Sequence, residues 1–430
     1  MRASAFSFSQ RLALDACTQC GQCLDVCPAV AAAGDAGLSA QMRLAGLKRL
    51  LRDQNGFWQN LLETFGAAPR VDAARLDEYG TSVFRCSLCG DCQEICPVGL
   101  PLKDLWLDVR RELAGTGHAP ARIRAIRANL EGSHNVFDED NDERADWLDN
   151  MRKAPRNLVR RQADIVYFTG CVGAYFPLAQ KIPMALVQIL VNAGADFTIM
   201  GADEWCCGFP LLGSGQPDAL AGIIAHNVAE VKRRKASTVV FTCPSCLQIW
   251  KEVYTREADL DDIRLVHASE LVADLVAGKA LTFEEQAEDS EPLLVTYHDP
   301  CDLGRGSRVF DEPRAILSAL PGVKLVEMAH HGRHSLCCGG GGNLEMIDPA
   351  LSTAMARRKV EEAQATGAST IVTTCQQCVR TMTTYVRRNK LGLEVLDLTQ
   401  MVARALAKAP EKPKAPRPGD KPGDKPGAGA

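Results

Sequence analysis

Cys337-Cys338-Gly339-Gly340-Gly341-Gly342-Asn343 is a vicinal cysteine pair set in a run of glycines. Upstream stands Cys301, closing Tyr297-His298-Asp299-Pro300-Cys301, and downstream stands Cys375-Gln376-Gln377-Cys378. The same order, Cys…Cys-Cys…Cys-x-x-Cys, occurs earlier at Cys171, at Cys206-Cys207-Gly208 and at Cys243-Pro244-Ser245-Cys246. The two copies stand about 130 residues apart. Even the approach to the last pair matches, since Ala236-Ser237-Thr238-Val239-Val240 parallels Ala368-Ser369-Thr370-Ile371-Val372. This is an internal repeat.

Each copy brings five thiols. Four thiolates satisfy a tetrahedral zinc or one cubane four-iron cluster. The fifth is then idle, redox-active, or a bridge between two irons in a cluster that is not a regular cubane. A structural zinc in one or both copies is the competing reading. Disulfide stapling is a poor one, because a chain of 430 residues can build ordinary cores and nothing marks it as secreted. Buried free thiols would not repeat in register. The glycines suit a backbone that wraps closely round a cluster, with amide N–H groups turned towards sulfur.

The chain has 18 cysteines, and the eight outside the repeats form two further clusters. They are Cys17-x2-Cys20-x2-Cys23-x3-Cys27-Pro28 and Cys86-x2-Cys89-x2-Cys92-x3-Cys96-Pro97. This is the spacing of bacterial two-cluster ferredoxins, in which three close cysteines wrap one cluster and the fourth reaches the other. The expected sets are Cys17, Cys20, Cys23 and Cys96 for one cubane, and Cys86, Cys89, Cys92 and Cys27 for the second. Two zinc sites would seldom need this run twice. With no cysteine left over, the usage suits a reducing compartment.

Hydrophobic residues make up 46% of the chain and charged residues 24%, with a net charge of −4. That is ordinary globular material with no electrostatic case for nucleic acid. The N-terminus lacks a signal-peptide core, and no apolar run is long enough to span a bilayer. A soluble, cytoplasmic protein is expected.

Residues 1–115 are expected to form an all-helical ferredoxin domain, with helices over 39–52, through Phe57, Trp58, Leu61, Leu62 and Phe65, and over 102–113. Residues 116–160 are a charged connector with a poor core, and such charge blocks are usually solvated faces. The first cysteine-rich module covers 161–282, with strands at 165–169, 197–200 and 238–242 and helices over 179–193 and 217–235. The second covers 292–406, with strands at 293–297, 323–328 and 370–374 and helices over 312–320 and 349–366. The fold class is therefore α+β and multidomain: the helical ferredoxin domain, then two pseudo-symmetric α/β modules with parallel strands. Sites are expected beyond the carboxyl ends of the strands. Residues 407–430 are a Pro-Gly-Lys tail, expected to be disordered. Among the histidines, His298 is the candidate for proton delivery; His330, His331 and His334 precede the second cysteine pair.

Two ferredoxin motifs followed by two "CCG" modules resemble the catalytic subunit of membrane-linked heterodisulfide reductase over residues 10–406. Tyr297-His298-Asp299-Pro300-Cys301 and Leu336-Cys337-Cys338-Gly339-Gly340-Gly341-Gly342 both read as that family does. The layout is also similar to the iron–sulfur subunits of glycolate and lactate oxidation complexes. Cytoplasmic subunits of transmembrane redox complexes in sulfate reducers, and a sulfite-reduction protein acting on a trisulfide, share it as well. The resemblance implies two non-cubane four-iron clusters. Cys171, Cys206, Cys207, Cys243 and Cys246 would hold one; Cys301, Cys337, Cys338, Cys375 and Cys378 would hold the other. It further implies reduction of a disulfide, one sulfur being taken up at each cluster, or an electron-carrier role in a respiratory complex. No flavin or nicotinamide fingerprint is present, so electrons are expected from redox partner subunits, a membrane cytochrome or quinone-reactive protein. Through such a partner the protein would bind the inner face of the cytoplasmic membrane.

Overall fold

The computed structural model describes residues 5–55, 72–287 and 290–407. The helix expected through Phe57 to Phe65 and the tail from residue 408 lie outside these residues.

From Phe8 to Asn150 the described residues form helices and turns, without a strand. Helix Ala40–Asn55 buries Leu44, Leu47 and Leu50 on one face. Helix Ala73–Phe84 packs on it and on Leu102–Gly115, the first adding Leu76, Val83 and Phe84 and the second Leu105, Trp106, Val109 and Leu113 to the same core. Spacings of three and four put each group on a single stripe. Full burial of such a side chain contributes about 1.5–3 kcal/mol. Intrinsic helix preference supplies a few tenths, so the buried face fixes these helices. Pro28 occupies the first turn of helix Pro28–Ala33, with Cys27 as its N-cap. Proline costs nothing there, and it stops the cysteine run at a fixed angle.

The connector differs from expectation. Helix Arg122–Gly132 buries Ile123, Ile126 and Leu130, and the turn Asn141–Asn150 buries Arg144 and Trp147. Ile126 and Leu130 pack into one face of the first module, Trp147 into the other. The charges at Arg122, Arg124 and Arg127 mark only the outer side of an amphipathic helix, so the segment is part of the core.

Each module is a four-stranded parallel sheet. In the first, β1 (Ile165–Phe168), β2 (Phe197–Ile199), β3 (Thr238–Phe241) and β4 (Arg264–His267) lie in the order β2-β1-β3-β4. In the second, β5 (Leu293–His298), β6 (Val323–Leu325), β7 (Thr370–Thr373) and β8 (Glu394–Asp397) repeat it as β6-β5-β7-β8. Register matches as well, Tyr167 opposing Val240 and Tyr297 opposing Val372. The edge strands β4 and β8 were not expected; each has only two apolar residues between polar ends.

Alternation along β1 sends Val166 and Phe168 to one core and Tyr167 to another. The second core is shared: Tyr167, Val240 and Val266 of the first sheet meet Tyr297, Val372 and Leu396 of the second. Helix Lys181–Asn192 of the first module packs on Leu398–Ala405 of the second, and Ala268–Ala277 packs on Asp311–Ala319. Each module thus lays its first long helix on its partner's last, as a pseudo-twofold axis requires. The terminal helices even start alike, with capping boxes His267/Glu270 and Asp397/Gln400.

Candidate metal centre

The cysteines meet where strands and turns end. In the helical region Cys17, Cys20, Cys23 and Cys96 line one cavity, together with Gln19, Gln41 and Leu44. Cys27, Cys86, Cys89 and Cys92 line a second, together with Arg43, Asp91, Lys103 and Trp106. Each group draws three cysteines from one motif and one from the other. The backbone curls the same way in both motifs, with φ of 56° at Gln19 and Leu88, 88° at Gly21 and 75° at Gly90. Left-handed residues turn amides inward, and Leu88 N donates to Cys86 Sγ at 3.4 Å.

In the first module the buried thiols touch in series: Cys171 to Cys206, Cys206 to Cys207, Cys207 to Cys246 and Cys246 to Cys243. In the second, Cys301 meets Cys337, Cys337 meets Cys338, and Cys378 meets Cys375. Cys338 Sγ lies 3.2 Å from Cys378 Sγ. β3 and β7 end two residues before Cys243 and Cys375, and each of these caps the helix carrying the last cysteine of its module. Gly208 N donates to Cys206 Sγ at 3.5 Å and Gly339 N to Cys337 Sγ at 3.4 Å, so both vicinal pairs are held by the same amide.

Cys338 is held well below the ordinary thiol range by donation from Cys337 and Cys378, and then by the His298 ring. Cys337 and Cys378, which supply those protons, are pushed well above it. Cys207 is lowered between Cys206 and Cys246, and both of these are raised. Crowded buried thiols compete for protons in this way, and a soft metal centre would replace the protons with one multivalent cation. The donor sets fit iron–sulfur clusters.

Two carboxylates that sequence reasoning missed brace the first cysteine of each module. Glu204 is buried and accepts from Thr169 N at 2.7 Å, Gly170 N at 2.8 Å and Arg144 Nη2 at 2.8 Å. Arg144 Nη2 also lies 3.5 Å from Cys171 Sγ. In the second module Asp299, two residues before Cys301, accepts from Arg314 at 2.8 and 3.0 Å and from Gly332 N at 2.7 Å. His298 is buried, its Nδ1 3.5 Å from Ser335 Oγ, and burial lowers its pKa. It clusters with Cys338 and Cys378, their ligand atoms all within 4.8 Å. His330 instead faces Glu362 at 2.7 Å, and His331 bonds Met328 O at 2.8 Å.

The two modules interlock beside the sulfurs. Gln376, inside Cys375-Gln376-Gln377-Cys378, accepts from Gly173 N at 2.8 Å and donates to Thr169 O and Thr242 Oγ1 at 2.7 Å. In the reverse direction Ser245 donates to Asp302 Oδ2 at 2.6 Å. Lys103, from the helical region, completes the junction at 2.8 Å from Asp302 and 3.0 Å from Gln248.

The ferredoxin-type region meets the second module at sulfur. The Cys89 thiol touches Cys337, which lowers it. Gly342, at φ 60°, explains part of the glycine run: a Cβ there would lie 2.6 Å from Cys86 O. The glycines therefore let the second module approach the ferredoxin loop, besides turning around their own sulfurs.

Two family descriptions match this chain: "Cysteine-rich domain" over residues 165–249 and 295–383, and "4Fe-4S dicluster domain" over residues 13–100. The chain is 32% identical over 406 residues to a dihydromethanophenazine:CoB–CoM heterodisulfide reductase subunit of Methanosarcina mazei, covering 92% of this chain and 95% of that protein. It is 26% identical to the probable iron–sulfur-binding oxidoreductase FadF of Bacillus subtilis, covering 94% of this chain and 61% of that protein. With a fumarate reductase (CoM/CoB) subunit of Methanothermobacter marburgensis it shares 25% identity, covering 90% and 72%.

Proposed function

The chain belongs to the heterodisulfide reductase family of iron–sulfur oxidoreductase subunits, and from that premise we propose that it reduces a disulfide-type substrate between its two cysteine-rich modules. Two four-iron cubanes are assigned to Cys17/Cys20/Cys23/Cys96 and Cys27/Cys86/Cys89/Cys92. Two non-cubane clusters are assigned to the five-thiol sets. When bound, these groups supply one-electron storage and iron sites that accept sulfur.

The observation that carries the reading is continuity. The Cys89 thiol touches Cys337, and the two five-thiol sets are locked to each other through Gln376, Ser245 and Asp302. Electrons therefore have a short path from the ferredoxin region into the second module and across to the first. The protein's residues orient and protect this path. Glu204 with Arg144, and Asp299 with Arg314, hold the strand ends that present Cys171 and Cys301. Burial of nine of the ten module thiols, all but the half-buried Cys301, keeps water from them. His298, whose ring lies among Cys338 and Cys378, is assigned to relay a proton to a product thiolate.

The reaction takes two electrons and two protons, breaks one S–S bond and yields two thiols. Electrons come from a redox partner, a membrane cytochrome or quinone-reactive protein; no described helix is long and apolar enough to cross a membrane. The test is anaerobic turnover of iron-replete protein with a reduced viologen dye and a panel of disulfides. Oxidation of two dye equivalents per disulfide is expected. Full iron content with no disulfide consumed, yet electron flow restored to a membrane partner, would leave an electron carrier instead.

A further inference from the structure

The two ferredoxin-type sites share one backbone geometry but not one electrostatic setting. Among the described residues the cavity of Cys17, Cys20, Cys23 and Cys96 is lined by glutamines, small residues and aliphatic side chains, with no charged group, and Cys20 is exposed. The cavity of Cys27, Cys86, Cys89 and Cys92 is lined by Arg43 and Lys103, with Asp91 as the one carboxylate. Two more cations grip its backbone. Arg110 donates to Cys86 O at 2.5 Å, and Arg305 donates from Nε to Cys89 O at 2.8 Å.

Compensation is incomplete. Lys103 is paired with Asp302 at 2.8 Å, and Arg305 lies 3.7 Å from Asp91. Arg110 is fully buried and bonds only carbonyl oxygens, among them Val83 O, Phe84 O, Gly213 O and Gly342 O. Arg43 is buried too and bonds Ser82. Among the described residues neither has a carboxylate partner. Arg43 Nη2 and Arg305 Nη2 are buried and, among the described residues, find no hydrogen-bond partner. A guanidinium is rarely buried unless an anion compensates it. Here the anion in reach is the thiolate set itself: Arg43 acts on Cys27 and Cys92, Arg305 on Cys89, and Arg110 on Cys86.

Resting on the assignment of a four-iron cluster to each set, we propose that Arg43, Lys103, Arg110 and Arg305 give the Cys27/Cys86/Cys89/Cys92 site the higher reduction potential of the two. An incoming electron is then held at the more buried Cys27/Cys86/Cys89/Cys92 site, against the Cys337 contact, and not at the site that includes the exposed Cys20. The transfer is balanced: one site loses one electron as the other gains it, and no bond or proton moves. Burial alone favours the opposite order, because extra negative charge is costly in a low dielectric. The same low dielectric strengthens attraction to fixed cations, and two of them are uncompensated. Cations win.

The test is a redox titration of anaerobically prepared full-length protein, followed by electron paramagnetic resonance. Cys20→Ser assigns the signals, since only the exposed site should change its spectrum. In the wild type the unperturbed signal should titrate first, with at least a tenfold bias in electron occupancy, ~59 mV for one electron. Arg43→Met should lower that midpoint and spare the other, and Arg43→Lys should restore it. Equal midpoints, the reverse order, or an Arg43→Met shift common to both sites would overturn the proposal. Fewer than two reducible cubane-type signals in iron-replete protein would overturn the cluster assignment, and the inference with it.

Discussion

At the scale of single residues, the vicinal cysteines and one carboxylate carry the sharpest expectations. Cys206 and Cys337 occupy equivalent places, each with a glycine amide on its sulfur. Replacing either by alanine should abolish disulfide turnover while both cubane resonance signals survive, because the cubane ligands lie elsewhere. Near-normal turnover in either variant would sink the paired-cluster mechanism. Iron analysis of the wild type should find about sixteen irons, the content of four four-iron clusters. Asp397 is a different case. Its carboxyl is buried, and burial raises it from 3.8 to about 7, although Thr399 donates to Oδ1. Folding therefore binds this proton more tightly than the unfolded chain does. Stability linked to this group is fully present below pH 3.8 and is lost as pH rises towards 7, by about 1.4 kcal/mol per pH unit. Asp397→Asn keeps an oxygen for the helix cap and removes the titration. In urea unfolding its advantage over wild type should grow between pH 4 and 7 and then level off; a constant difference would argue against it.

At the scale of elements, the segment between the ferredoxin region and the first sheet is the one where composition misleads. Its charges are numerous, yet Trp147 is wholly buried against the core shared by both sheets. Trp147→Ala should cost about 3–5 kcal/mol, as truncation of a buried aromatic does. A solvated connector would lose almost nothing, so chemical denaturation separates the two. The edge strands β4 and β8 were hidden for a related reason. Arg264-Leu265-Val266-His267 shows only two apolar residues, and its pairing partner Thr238–Phe241 lies a whole helix away in sequence. Strands closer to the sheet centre are buried on both faces and announce themselves as apolar runs.

For the whole molecule, the question is what makes two modules one site. Gln376 reaches from the second module into the first turn of the other, satisfying a buried N–H and a buried carbonyl there. Gln376→Ala would strand those groups, each at a cost of about 1–3 kcal/mol. Disulfide turnover should fall sharply while iron content and cubane signals stay constant, since neither set loses a ligand. Unchanged turnover would mean that the modules need no such registration.

The sequence by itself determined the repeat, the strand-then-cysteine grammar and the helical start, because each is written in local spacing. The crossing of Cys27 and Cys96 between the ferredoxin cavities was legible for the same reason. Only the tertiary structure decided that the second ferredoxin site lies against Cys337, that Gly342 is small for the sake of Cys86 O, and that Glu204 and Asp299 serve equivalent cysteines. It also decided which arginines are interior. In sequence, Arg43, Arg110, Arg144 and Arg305 look like any solvated charge. A buried guanidinium is specified by the carbonyls and anions that converge on it, and for Arg110 these come from three distant stretches of chain. That convergence exists only once the chain has folded.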